Sequence, residues 1–226
     1  MHKQVASDLP FHYIEDIQLG PYIAFKYKTK VTLYMITNKI ELKEYIRNDR
    51  ERNLGKNVSA IKYWLLLLYG ADRAKSYRYL KALRKYEWSI TQKGNHSNIN
   101  FYYLIVWAFR KLRYNRLCIK YNIVIKPNVV GQGLYLPHLV GGGIIINCNS
   151  MGCDCRVNVG VVVGNKKKDD LAVIGNGVDL ATGCKVIGNV VIGDNVTVAP
   201  NAVVVKDVPD NAIVGGVPAK IIKFKV

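Results

Sequence analysis

From residue 145 onward, aliphatic side chains return every six positions. Stepping by six gives Ile145, Met151, Val157 and Val163, then after a break Ile174, Leu180, Val186, Ile192, Val198 and Val204. In the second run the next residue is Gly175, Ala181, Ile187, Gly193 or Ala199, small in all but one case. Period two would make a strand and period 3.6 a helix, and a strict six satisfies neither. It fits a coil with three flat faces, each face built from one hexad. The anchor points into the prism, the small residue lets the backbone turn, and Gly or Asn takes the left-handed corner conformations. Roughly five coils of about eighteen residues fit between Ile123 and Gly215. Stacked coils pair as parallel strands and bury a continuous aliphatic column.

The first half of the chain has a different pattern. Asn38-Lys39-Ile40-Glu41 reads as a capping box, with Asn38 as N-cap and Glu41 reaching back, and predicts a helix to about Arg52. Further helices are predicted near 57–69, 72–88 and 98–117, with Asp72 capping the third and Ser97 or Asn98 the last. The stretch 93–98 is the clearest break between them. Residues 1–37 form an N-terminal extension in which Tyr and Phe are scattered without helical period, and Met35 is a candidate initiator. The predicted organisation is therefore an extension over 1–37, a helical domain over 38–120 and a coil domain with a C-terminal tail over 121–226. The fold class is α+β.

Charge sharpens this division. The 226 residues carry 33 Lys and Arg against 16 Asp and Glu, a formal +17. Residues 1–120 hold 23 of the cations and 9 of the acids, a net +14, and residues 121–226 hold 10 and 7, a net +3. All three tryptophans lie in the basic half. Half the residues are hydrophobic and no low-complexity tract occurs, which excludes a disordered or collagenous chain. The longest apolar runs, 64–68 and 104–109, are far short of the roughly 20 residues that span a bilayer. The N-terminus lacks an apolar segment with a cleavage site, so a cytoplasmic location is expected, with the inner face of the membrane as a further candidate.

The coil region resembles the hexapeptide-repeat acyltransferases, whose fold is a left-handed parallel β-helix. It is more narrowly similar to serine O-acetyltransferases and to relatives that acetylate sugars in bacterial polysaccharide pathways. The resemblance rests on Gly131-Gln132-Gly133-Leu134-Tyr135-Leu136-Pro137-His138, on Gly143-Ile144-Ile145-Ile146-Asn147 and on Gly215-Gly216-Val217-Pro218-Ala219-Lys220. The left hand comes from this resemblance, since parallel crossovers are ordinarily right-handed. The resemblance implies acetyl-CoA as cosubstrate, a small hydroxyl acceptor (a sugar or an amino acid) and a homotrimer with cofactor along the groove between protomers.

His138 is the only histidine of the coil region. Acetyl transfer to a hydroxyl needs a base near neutral pH, which imidazole supplies. The resemblance makes His138 that base, with Ala181, Ala199 and Gly216 allowing close approach of the pantetheine arm. Lys220, Lys223 and the cluster 166–168 are candidate phosphate partners. Two departures matter. Where the serine-specific pattern has an aspartate before the catalytic histidine, this chain has Ile123 and Val124. Where it has a second histidine that holds the amino acid, this chain has Leu171. Orientation of His138 then falls to a backbone carbonyl, to a neighbouring subunit, or to Asp169 or Asp170 in trans. Five cysteines at 118, 148, 153, 155 and 184 show no zinc spacing, and an odd number argues against a disulfide framework. Cys155 and Cys184 take inward positions in the hexad, Cys148 and Cys153 free ones. No metal is expected.

The basic helices combine Arg73, Arg78, Lys81, Arg84 and Lys85 with Arg110, Arg113 and Arg116. This suits peripheral contact with an anionic membrane, or a solvated face that also packs the trimer; no nucleic-acid motif accompanies the charge. The departures at 123–124 and 171 favour an acetyl-CoA-dependent O-acetyltransferase acting on a sugar or polysaccharide precursor. The alternatives are serine O-acetyltransferase and a non-catalytic trimeric scaffold.

Overall fold

The computed structural model describes residues 34–95, 101–139 and 141–225. The expected extension falls largely outside them, as do Ser97 and Asn98. Among the described residues four helices come first: α1 (Lys39–Leu54), α2 (Ala60–Leu68), α3 (Asp72–Asn95) and α4 (Phe101–Tyr121). The Asn38 side chain accepts from the amides of Ile40 and Glu41, as predicted. Glu41, however, reaches back one residue further and accepts from the Thr37 amide and hydroxyl, at 2.7 and 2.8 Å. Asp72 is likewise displaced from its expected place as cap. The Ala71 carbonyl receives the first bonds of α3, so Asp72 stands in its first turn.

Short parallel strands follow and fall on three sheets in rotation. The first sheet contains β1 (Ile123–Ile125), β2 (Ile144–Ile146), β5 (Val162–Gly164), β8 (Lys185–Ile187) and β11 (Val203–Val204). The second contains β3 (Ser150–Met151), β6 (Val173–Ile174) and β9 (Val191–Ile192). The third contains β4 (Arg156–Val157), β7 (Asp179–Leu180), β10 (Thr197–Val198) and β12 (Ala212–Gly215), with β13 (Lys220–Phe224) antiparallel on β12. Register stacks the inward residues in columns, Ile125, Ile146, Val163, Val186 and Val204 on the first face. Met151, Ile174 and Ile192 stack on the second face, and Val157, Leu180 and Val198 on the third. All are buried. Each such side chain contributes roughly 1.5–3 kcal/mol when fully removed from water.

One anchor departs from the hexad. Ile145 points outward and is 47% exposed, while Ile144 and Ile146 are buried. Ile146 pairs with Val163, so the step from Ile146 to Met151 is one residue short of a hexad and counting by six from Met151 lands on the wrong face. The corners follow expectation. Asn195, Asn201 and Asn211 adopt positive φ, and a Cβ added at Gly175 would lie 2.4 Å from Asp194 Oδ1 and 2.7 Å from the Gly193 carbonyl carbon.

The first coil has no coil beneath it, so its backbone groups need other partners. The helices supply them. Arg84, fully buried, donates from Nε to Asp49 at 2.8 Å, from Nη1 to Glu87 and the Val130 carbonyl, and from Nη2 to the Gly131 carbonyl at 2.7 Å. Asp49 accepts from the amides of Gly133 and Leu134, and Glu87 from that of Asn128. Asn53 bonds the Leu134 carbonyl and the Leu136 amide, and Ser76 donates to the Leu136 carbonyl at 2.6 Å. Burial alone would lower the Arg84 guanidinium, but Asp49 and Glu87 outweigh it and hold it charged. Arg84→Met leaves two buried carboxylates without a counter-charge. It should cost about 3–5 kcal/mol, seen as a lower urea midpoint; a loss under about 1 kcal/mol would show that the cap does not hold the domains together.

Candidate active site

The cap also fixes the loop that carries His138. Leu136 is pinned from both sides by Asn53 of α1 and Ser76 of α3, Leu139 is buried, and His138 projects between them with its side chain 67% exposed. The Ser76 hydroxyl also bonds the Asp72 carbonyl, which ties the loop to the start of α3. His138 Nδ1 lies 3.8 Å from Asp72 Oδ2. The other Asp72 oxygen accepts from Lys75 Nζ at 3.2 Å, which holds the carboxylate in place. Neither ring nitrogen of His138 makes a hydrogen bond among the described residues. The imidazole can therefore turn Nδ1–H to Asp72 and offer Nε2 to an incoming hydroxyl, and such contacts tighten when substrate binds.

Asp72 was not among the orienting groups expected from the sequence. Val124 is exposed and Ile123 buried, so the strand that carries an aspartate in the serine-specific pattern offers none. Asp170 is engaged with the Asn189 amide at 2.7 Å, and Asp169 is exposed in the same loop. Asp72 had a sequence signal only as a helix cap; its approach to a residue 66 positions away depends on how α3 docks.

Ala181 and Ala199 lie along one edge of the prism, with Gly216 at its end. Tyr135 bridges to Arg156, which pairs with Asp179, which pairs with Thr197. The corner positions two residues further on are Pro137, Asn158, Ala181 and Ala199, and Gly215 takes the equivalent place in the last coil. His138 follows the first of these. With a rise of about 4.8 Å per coil, Ala181 and Ala199 lie roughly 10 and 14 Å along the axis from the His138 corner. Gly216 follows Gly215, is exposed and has φ +94°. Lys220 is exposed on β13 and pairs with Gly215. A Cβ at Gly215 would meet Ile222 Cδ1 at 2.9 Å and Ala199 Cβ at 3.2 Å, so packing of β13 already demands a small residue there. Lys166, Lys167 and Lys168 are exposed in a separate loop, and Lys223 on β13. Arg156, which carries no motif signal in the sequence, holds its guanidinium over the Tyr135 ring and 3.7 Å from Asp179 on the outer face beside this edge.

No protein-family model matches the chain. A serine acetyltransferase of Helicobacter pylori (strain J99) is 31% identical over 76% of this chain and 93% of its own length. One from Synechococcus elongatus is 34% identical over 45% of this chain, and the match spans 43% of that protein. Among solved structures, a serine acetyltransferase in complex with CoA superposes with a TM-score of 0.58 at 20% identity, covering 81% of this chain and 71% of that one. Helices followed by a left-handed parallel β-helix is thus a fold shared with such structures.

Among the described residues, no group of three or more His, Cys, Asp or Glu side chains converges to hold a metal. Cys148 is buried with Cys155 and Cys184, contrary to its expected free position, because the coil is short by one residue there. Burial pushes all three thiols up to about 12. At pH 8 they are therefore protonated and poor nucleophiles. Cys153, half-exposed, should be the one coil-domain thiol that a maleimide modifies within minutes in the native protein. Rapid labelling of Cys148, Cys155 or Cys184, mapped by mass spectrometry, would contradict the packing.

Proposed function

The chain belongs to the serine acetyltransferase family, and from that premise we propose that it transfers the acetyl group of acetyl-CoA to a hydroxyl, with His138 as general base. The observation that carries the reading is the approach of Asp72 to within 3.8 Å of His138 at the head of an edge lined by Ala181 and Ala199. Nε2 of His138 takes the hydroxyl proton as the oxygen attacks the thioester carbonyl. The tetrahedral intermediate collapses with cleavage of the C–S bond, and the imidazolium returns the proton to the CoA thiolate, giving an ester and free CoA. Asp72 holds the ring and stabilises the imidazolium. The small edge residues admit the pantetheine arm, and Gly216 and Lys220 complete the far end toward the phosphates. Exposed apolar residues on β13, Ile222 and Phe224 among them, support a homotrimer in which this edge faces a neighbour.

Serine is the acceptor that the relatives' names support. A sugar hydroxyl is a second reading, favoured by Leu171 and by Ile123 and Val124 at positions where the serine-specific pattern has charged or imidazole groups.

Release of free CoA from acetyl-CoA separates these readings. Turnover on L-serine would establish the first, turnover on sugars or sugar nucleotides alone the second, and none on any acceptor would indicate a scaffold. His138→Ala should lower kcat/KM by at least about 100-fold. Asp72→Asn should lower kcat by about 10-fold with the KM for acetyl-CoA unchanged. Activity within twofold of wild type in either variant would remove that residue from the mechanism.

A further inference from the structure

α2, Ala-Ile-Lys-Tyr-Trp-Leu-Leu-Leu-Leu, is apolar along nearly its whole length, yet none of its residues is buried. Leu68 is 81% and Trp64 67% exposed. Tyr63, Leu66 and Leu67 are half-buried on the small core of Leu54, Ala74 and Tyr77, but Ile61, Trp64, Leu65 and Leu68 form a second apolar stripe that stays exposed. Across from it, α4 exposes Ile105, Phe109 and Leu112. Between them runs an open groove of about 530 Å³ whose apolar lining includes Trp64, Leu67, Ile105 and Phe109. Cations line it too: Arg78, Lys81 and Lys85 from α3, and Arg110 and Arg113 from α4. None of these five pairs with a carboxylate among the described residues. Desolvation, and then the charges of Lys81, Arg110 and Arg113, hold the Lys85 ammonium below its ordinary value, a sign of uncompensated positive charge.

We propose that the α2–α4 face, with its exposed aliphatic and aromatic side chains and its lining of cations, docks on an anionic lipid bilayer. Charge complementarity selects this occupant. In a two-fold contact with a second copy the face would meet itself, setting cations against cations, and the three-fold contact proposed above uses the β13 edge of the coil instead. A nucleic acid would satisfy the cations but not Ile61, Leu65 and Leu68, which present aliphatic carbon to the surroundings. A bilayer meets both demands: apolar side chains enter the headgroup boundary, and Lys and Arg contact anionic headgroups. No helix among the described residues is long and apolar enough to cross a membrane, so the contact is peripheral. The inference rests on the surface alone and not on the acetyl-transfer reading.

The test is co-sedimentation of the full chain with vesicles of phosphatidylcholine containing about one third phosphatidylglycerol, against vesicles of phosphatidylcholine alone. Partition should be at least about ten-fold stronger on the anionic vesicles and weaken steeply as salt rises. Arg78→Glu combined with Arg113→Glu should reduce it about ten-fold with an unchanged thermal melt. Trp64→Phe should abolish the blue shift of tryptophan emission on binding. His138→Ala should partition as wild type, which separates this inference from the proposed reaction. Failure of the full chain to sediment with anionic vesicles would overturn it. So would equal binding of the charge-reversed variant, or a change in oligomeric mass in Trp64→Ser with vesicle partition unaltered.

Discussion

A β-helix must end, and its first coil has an open edge whose amides and carbonyls need partners. Here the partners are side chains of α1 and α3, organised around the buried Arg84. The guanidinium suits the task because its planar fork serves two carboxylates and two carbonyls at once. Asp49 and Glu87 then relay to the amides on either side. Each polar atom satisfies another, which makes burial of three charges tolerable in a place where an apolar cap would strand the backbone.

The same docking produces the candidate site. α3 supplies Arg84 and Glu87 to the cap, Ser76 to the Leu136 carbonyl, and Asp72 to His138, all from one rigid helix. A carboxylate delivered this way does not need to come from β1, which is why the exposed Val124 is compatible with a paired imidazole. The cost is sensitivity: any shift of α3 on the first coil moves Asp72 relative to His138. The helical domain is in this sense part of the site, although it contributes none of the edge along which the small residues run.

The hexads made the β-helix legible because each inward anchor obeys a local rule that repetition amplifies. The reading failed at Ile145 and at Cys148, on either side of the one-residue shortening before Met151, where counting by six cannot detect a missing position. The cap was not legible at all. Asp49, Asn53, Arg84 and Glu87 look like ordinary solvated helix residues, and only the unmet backbone of a coil some 40 to 85 positions away makes them interior. Asp72 was hidden for the same reason. His138 stood out through a motif that brings its neighbours with it, whereas its partner is defined by tertiary placement.

The excess positive charge takes on a definite location once the cap is drawn. Asp49 and Glu87 are spent inside the protein and Asp72 faces Lys75 and His138, so these acids cannot balance the outer faces of α3 and α4. Arg84, the most central cation, is neutralised internally, and the unpaired cations that remain flank the groove beside α2. An exposed apolar stripe on α2 and neighbouring cations without carboxylates are two separate costs to an isolated chain. Their meeting on one face argues for a partner that relieves both, whereas the β-helix domain, at +3, has little charge left to steer.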